Sequence, residues 1–267
     1  MPAFRRRLAF RALALMLCAL PGAGALACGP YQVGIVEHGR AAYRDAAGRP
    51  VGVDHDLVEQ LARRSGCALN VSLESPARIW DQFTKQGIAL ATSIIVTPER
   101  ARLGEIWPYA QARNHALLQK DLAERVNGPE AFLADPRLRA VVVRANRHGP
   151  QIDGWIVTLR AQGRVHEVAD YASALRTFKA RRAELMFITP GSLRTDLYPW
   201  LAEMSLQDWA PQDDVRVGLL VARDSVNPAD HQQLQQAFKA MRRDGSVDAI
   251  LRRHMGEALA RRVRLDE

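Results

Sequence analysis

The chain has little of what common catalytic machinery needs. Its 267 residues contain no Gly-x-x-x-x-Gly-Lys loop, no Gly-x-Gly-x-x-Gly fingerprint, no His-Glu-x-x-His and no Gly-x-Ser-x-Gly. That argues against phosphate cradles, dinucleotide sites and the commonest hydrolase centres. Seven histidines include no pair at close metal-ligand spacing, so neither a metal nor a cofactor is expected, and no catalytic residue is assigned. The net charge of +8 is scattered rather than gathered into a stripe, which argues against a nucleic-acid partner. No later apolar run reaches membrane length, so the mature protein is expected to be soluble.

What is present begins with an address. Arg5, Arg6, Arg7 and Arg11 precede an uncharged run over residues 12–20, too short to span a bilayer. Pro21 and Gly22 break that run, and Ala25-Leu26-Ala27 fits the small-x-small cleavage rule. Residues 1–27 are thus expected to be a signal peptide, and the mature chain a periplasmic protein starting at Cys28. Its removal takes four arginines and no acid from +8, leaving +4. Cys28 and Cys67 then remain, an even number in an oxidising compartment. Each precedes a strand-like run. If those strands lie parallel and adjacent, the thiols share one end and form a disulfide. Lipidation of Cys28 is the alternative, although Leu26 stands one place late for that signal.

Short apolar runs alternate with helical periodicity, which reads as an α/β fold. The runs cover 32–36, 68–73, 88–96, 140–143, 165–169, 185–188 and 215–222, with a further strand-like stretch at 114–119. Ser75 and Pro76 open a helix with Ile79, Trp80 and Phe83 on one face, a spacing that assigns those aromatics to a core. A break near 115 and a return near 213 divide the chain into a first lobe, 28–115 with 213–267, and a second, 116–212.

The informative stretch runs from 88 to 109. Nine apolar residues end in Thr97-Pro98-Glu99-Arg100, followed by Trp107-Pro108-Tyr109. Thr97 can cap a helical turn with Pro98 at its first position, which fixes Arg100 at a strand end. A guanidinium there can offer two parallel N–H groups to a carboxylate. His38 and His148 also follow apolar strands, where open α/β sheets bind ligands; taken singly, each reads as a solvated loop histidine.

This stretch resembles the family 3, amino-acid-binding periplasmic solute-binding proteins, whose third strand ends in a Thr-x-x-Arg turn before an aromatic Pro-Tyr segment. Gly52-Val53-Asp54-His55-Asp56-Leu57 is similar to the family's opening of its first helix. Trp80 through Gly87, Arg182 through Phe187, and the C-terminal stretch from Phe238 to Met255-Gly256 follow in the family's order. The resemblance implies the type II periplasmic-binding fold: two lobes, each an open sheet flanked by helices, joined by two hinge crossings and closing on a ligand. It implies that Arg100 binds a ligand carboxylate, with Ser93 and Ile95 on the same strand and Glu37 and Tyr43 nearby. The loop through His148 and Gly149 falls on the second lobe's anion-binding helix N-terminus.

Two positions depart from the family. Thr189 stands where an aspartate pairs with the ligand ammonium, and Ile95 where a hydroxyl is usual. Glu37 could replace the lost charge, and Arg78 is a further candidate. A carboxylate-bearing ligand is therefore the firmer expectation, and an amino acid or relative the narrower one. The resemblance implies a monomeric binding protein, not an enzyme, that delivers its ligand to an inner-membrane ABC permease. A dehydratase on the same fold and a ligand sensor for a membrane kinase are the alternatives.

Overall fold

The computed structural model describes residues 28–265, so the expected signal peptide lies outside the described residues. In chain order the strands are β1 Tyr31–Val36, β2 Tyr43–Arg44, β3 Pro50–Val51, β4 Leu69–Glu74, β5 Leu90–Ile95, β6 Gly104–Ala112, β7 His115–Gln119, β8 Ala140–Val143, β9 Val165–Val168, β10 Leu185–Ile188, β11 Met204–Gln207 and β12 Val215–Ala222. The helices are α1 Val53–Ser65, α2 Pro76–Thr84, α3 Pro98–Ala101, α4 Lys120–Ala123, α5 Pro129–Ala134, α6 Pro150–Ala161, α7 Tyr171–Lys179, α8 Pro228–Arg243, α9 Ser246–Met255 and α10 Glu257–Val263.

Two five-stranded sheets organise the molecule, in the orders β4-β1-β5-β12-β6 and β11-β7-β10-β8-β9. In the first, β4, β1 and β5 run parallel while β12 is antiparallel to both neighbours. In the second, β8, β9 and β10 run parallel, with β7 antiparallel to β10 and β11. Both sheets are covered on both faces. Leu57, Leu61, Leu234 and Phe238 pack on one side of the first, and Ile79, Phe83 and Ile88 on the other. Phe132, Ile152 and Leu159 cover one face of the second, Leu175 and Phe178 the other. Double coverage explains why β8 and β10 read as unbroken apolar runs, Ala-Val-Val-Val and Leu-Met-Phe-Ile, buried at every residue.

The parallel pairing of β1 with β4 brings their starts together, and Cys28 and Cys67 form a disulfide there. Sequence reading missed β6, because Pro108 interrupts its apolar pattern. The strand tolerates it as an edge strand with a register shift opposite Val217 and Gly218. Among the described residues, no helix is long and apolar enough to cross a membrane.

The chain crosses between the sheets twice, from β6 to β7 and from β11 to β12. Arg113, in the first crossing, donates to Asp214 at 2.6 and 2.9 Å and to Asp208 at 3.0 Å, both in the second. These bonds hold its guanidinium above its ordinary pKa, the Asp214 bond foremost.

Candidate functional site

Loops after β1, β5, β8 and β10 meet between the lobes, the place where open α/β sheets bind ligands. The β5 loop carries Arg100. Thr97 caps α3, its side chain accepting from the Arg100 N–H at 3.2 Å, with Pro98 at the first helical position. The Arg100 side chain is buried, and it donates to the Ile95 carbonyl at 3.2 Å and, across the cleft, to the Ala145 carbonyl at 3.3 Å. Its guanidinium carbon lies 4.7 Å from the centroid of the Trp80 ring. Trp80 packs against the apolar cluster of Ile79 and Phe83, as its spacing suggested, and its half-buried ring also supports the cation.

No carboxylate among the described residues lies within 4.0 Å of the Arg100 nitrogens, although Glu99 and Arg147 form a 3.0 Å ion pair between the lobes beside it. Burial, and then the charge of Arg147, lower the Arg100 pKa to about 10, so it stays charged at neutral pH. A desolvated cation bonded only to neutral carbonyls has the chemistry to hold an anion. The backbone around it is held in an uncommon conformation. Ser93 and Ala145, both non-glycine, have φ of 55° and 63°. Such residues cost about 1–2 kcal/mol each and gather at functional sites.

The Ser93 hydroxyl, expected at the ligand, is committed elsewhere. It donates to Asp54 at 2.6 Å, Tyr109 donates to the other oxygen at 2.7 Å, and the Ser93 N–H donates to Tyr109 Oη at 2.9 Å. This buried triad ties α1, β5 and β6 together and fixes the strand carrying Ile95. Burial raises the Asp54 pKa, against the pull of these bonds. Ile95 contributes its carbonyl, which orients Arg100.

The second lobe supplies His148, which is buried, correcting the expectation of a solvated ring. Asp153 accepts from its backbone N–H at 3.1 Å and lies 3.3 Å from Nδ1. Gly149 precedes α6 with φ of 127°, and the amides expected to bind a ligand anion instead donate to Asp213, those of Gln151 and Ile152 each at 3.2 Å. The helix N-terminus is therefore neutralised by the chain's own carboxylate. The Thr189 hydroxyl lies 2.8 Å from Ser192 Oγ, which is 2.7 Å from His38 Nε2 in the first lobe. His38, Ser192 and Thr189 thus form a hydroxyl-imidazole chain across the cleft.

The remaining candidates lie toward the surface. Glu37 is exposed and 4.0 Å from Arg44, while Arg78 sits on the exposed face of α2, 3.5 Å from Glu74. Tyr43 lies beneath Arg194, whose guanidinium carbon is 3.8 Å from the ring centroid; no local motif marked Arg194. His55, Asp56 and Glu59 come together on α1. Asp56 is already engaged by His254 and Arg253 at 2.8 and 2.9 Å, which accounts for that cluster as surface ion pairing.

Two consequences are measurable. Burial pushes the His38 pKa down to about 4, helped by the nearby His148, whereas an unfolded histidine titrates near 6.5. Between those values the unfolded chain binds more protons, so the contribution of His38 to stability is present above pH 6.5 and is lost as pH falls toward 4. Denaturant midpoints measured across that window should drop, and His38→Gln should flatten the drop. An unchanged slope in the variant would count against a desolvated, neutral ring at His38. Second, Gly39 (φ 53°) faces Ser192 across the cleft, and a Cβ there would lie 2.8 Å from the Ser192 carbonyl oxygen. Gly39→Ala should hold the lobes apart and weaken ligand binding about tenfold. Gly48→Ala, also at positive φ but with open space around it, should leave binding unchanged.

Residues 32–257 match the bacterial extracellular solute-binding proteins, family 3. The chain belongs to that family. No curated protein matches it. Its fold is shared with a mutant of the arginine-binding protein ArgBP from T. maritima, at 18% identity and a TM-score of 0.70 over 85% of this chain and 95% of that one. An ancestral amino acid-binding protein, AncCDT-1, described as a precursor of cyclohexadienyl dehydratase, is similar at 19% identity and a TM-score of 0.68, covering 84% and 95%. A histidine kinase sensor domain with similarity to periplasmic binding proteins aligns at 15% identity and a TM-score of 0.72, covering 86% and 97%. At these identities the likeness concerns the fold, and this family 3 protein shares its two-lobed architecture.

Proposed function

We propose that this family 3 protein is exported to the periplasm and captures a small carboxylate-bearing solute, an amino acid or a relative of one, for an inner-membrane ABC permease. The lobes that close on it are residues 28–115 with 213–267, and residues 116–212. The observation that carries the reading is Arg100, a buried guanidinium over Trp80 with no acid partner among the described residues. Its bonds to Ile95 in the first lobe and Ala145 in the second support a site shared by both lobes. Loading begins with the carboxylate on Arg100, and the β8 and β10 loops then close over it. Thr189 offers a hydroxyl and no charge, so the α-amino group contributes less here than the carboxylate. Titration calorimetry against amino acids, organic acids and their amides tests this. Carboxylates should bind and the matching amides should not; equal affinity for acid and amide would defeat the reading.

A further inference from the structure

The segment between β8 and α6, residues 144–149, carries the second lobe's contacts with the Arg100 turn. Its Ala145 carbonyl accepts from the Arg100 guanidinium at 3.3 Å, and its Arg147 pairs with Glu99 at 3.0 Å. The segment is a turn followed by irregular chain, and it holds Ala145 at φ 63°. Such a conformation persists only where the surroundings impose it.

Those surroundings come from both crossings. In the first, buried Asn114 donates from Nδ2 to the His148 carbonyl at 2.8 Å. Asp153 accepts from the His148 N–H at 3.1 Å, so both polar groups of that backbone unit are fixed. In the second crossing, buried Asp213 accepts from the Gln151 and Ile152 N–H groups, each at 3.2 Å. Gly149 lies against this carboxylate, and a Cβ there would stand 2.6 Å from the Asp213 carboxyl carbon. Two buried polar side chains, one from each crossing, thus spend their hydrogen bonds on the same end of one loop. Burying such groups is costly unless they are paired, so each is held to that place.

We propose that Asn114 and Asp213 are positioning residues for solute capture. They pin the 144–149 segment to the crossings, so that closure presents the Ala145 carbonyl and Arg147 to Arg100 and Glu99 in one arrangement. They act through that segment and not by contact with the solute. This rests on the proposed capture of a carboxylate by Arg100. Docking on Arg100 precedes closure in that scheme, so a lost tie should change how long the solute stays and not how fast it arrives.

The test screens the purified protein by calorimetry against the twenty common L-amino acids and their 2-oxo and 2-hydroxy acids. Stopped-flow kinetics then follow the tightest binder among them. Asn114→Leu and Asp213→Leu keep the size of the side chain and remove its hydrogen bonds. Each should raise the dissociation rate about tenfold, with the association rate within about twofold of wild type. Asp213→Asn, which keeps an acceptor for the two amides, should recover most of the loss. A role confined to stability would instead lower the calorimetric stoichiometry and leave the dissociation rate alone. Where a leucine variant does not fold, serine at Asn114 or alanine at Asp213, too short to keep the bonds, takes its part. Dissociation unchanged in these variants, or Asp213→Asn as fast as Asp213→Leu, overturns the inference. In that event, binding that is lost in Arg100→Ala leaves the proposed function standing. Binding of none of these acids, or binding indifferent to Arg100→Ala, sinks both.

Discussion

Replacing Arg100 by alanine is expected to weaken binding of a carboxylate solute about a hundredfold or more. Each hydrogen bond to a charged group contributes about 1.5–3 kcal/mol, and a fork can make two with one carboxylate. The loss should come without loss of fold. Burial has already lowered the Arg100 pKa to about 10, a sign that its desolvation is only partly offset by the Ile95 and Ala145 carbonyls. Removing the cation relieves that cost, so the melting temperature of the variant should match or exceed the parent's. Arg100→Lys keeps the charge but loses the fork and its flat seat on Trp80, so its affinity should fall between the two. Titration calorimetry beside thermal denaturation separates these effects. Undiminished binding by Arg100→Ala would remove the residue from the site.

The second large effect concerns the fold. The Cys28–Cys67 bridge joins residues 39 apart at the starts of the parallel neighbours β1 and β4. Cross-linking a loop of that size restricts the unfolded chain, and its loss should cost about 2–4 kcal/mol. The double variant Cys28→Ser, Cys67→Ser should show this as a lower denaturant midpoint, and dithiothreitol should reproduce it in the parent. A parent indifferent to reductant, or a lipid adduct on Cys28 by mass spectrometry, would contradict the bridge.

The legible parts of this molecule are those whose cause is local. Thr97, Pro98 and Arg100 fall within four residues, and the caps at Thr97 and Ser75 form as their spacing implies. The buried strands β8 and β10 announce themselves as apolar runs because both faces are covered. Elements governed by partners far along the chain were not legible. Asp54 meets Ser93 and Tyr109 across separations of 39 and 55 residues, and no motif records that meeting. Trp80 joins the core cluster as its helical spacing implies, but its second role under Arg100 depends on where α2 sits beside α3. At the N-terminus of α6, the sequence offered free amides, but Asp213, some sixty residues on, takes them. The contact of half-buried His38 with Ser192 likewise depends on the facing lobe.

The ties at the crossings bear on mechanics. The Arg113 fork joins one crossing to Asp208 and Asp214 of the other, and Asp213 anchors the returning segment to α6. Two strands fastened in this way act as a ribbon, pliant to bending and stiff to torsion and shear. For the proposed closure this leaves one soft coordinate, so each swing should follow the same arc and return Arg100 to the Ala145 loop in the same alignment. Because the Arg113 pairs face solvent, added salt screens them and loosens the torsional stiffness before it touches the desolvated contacts within the cleft.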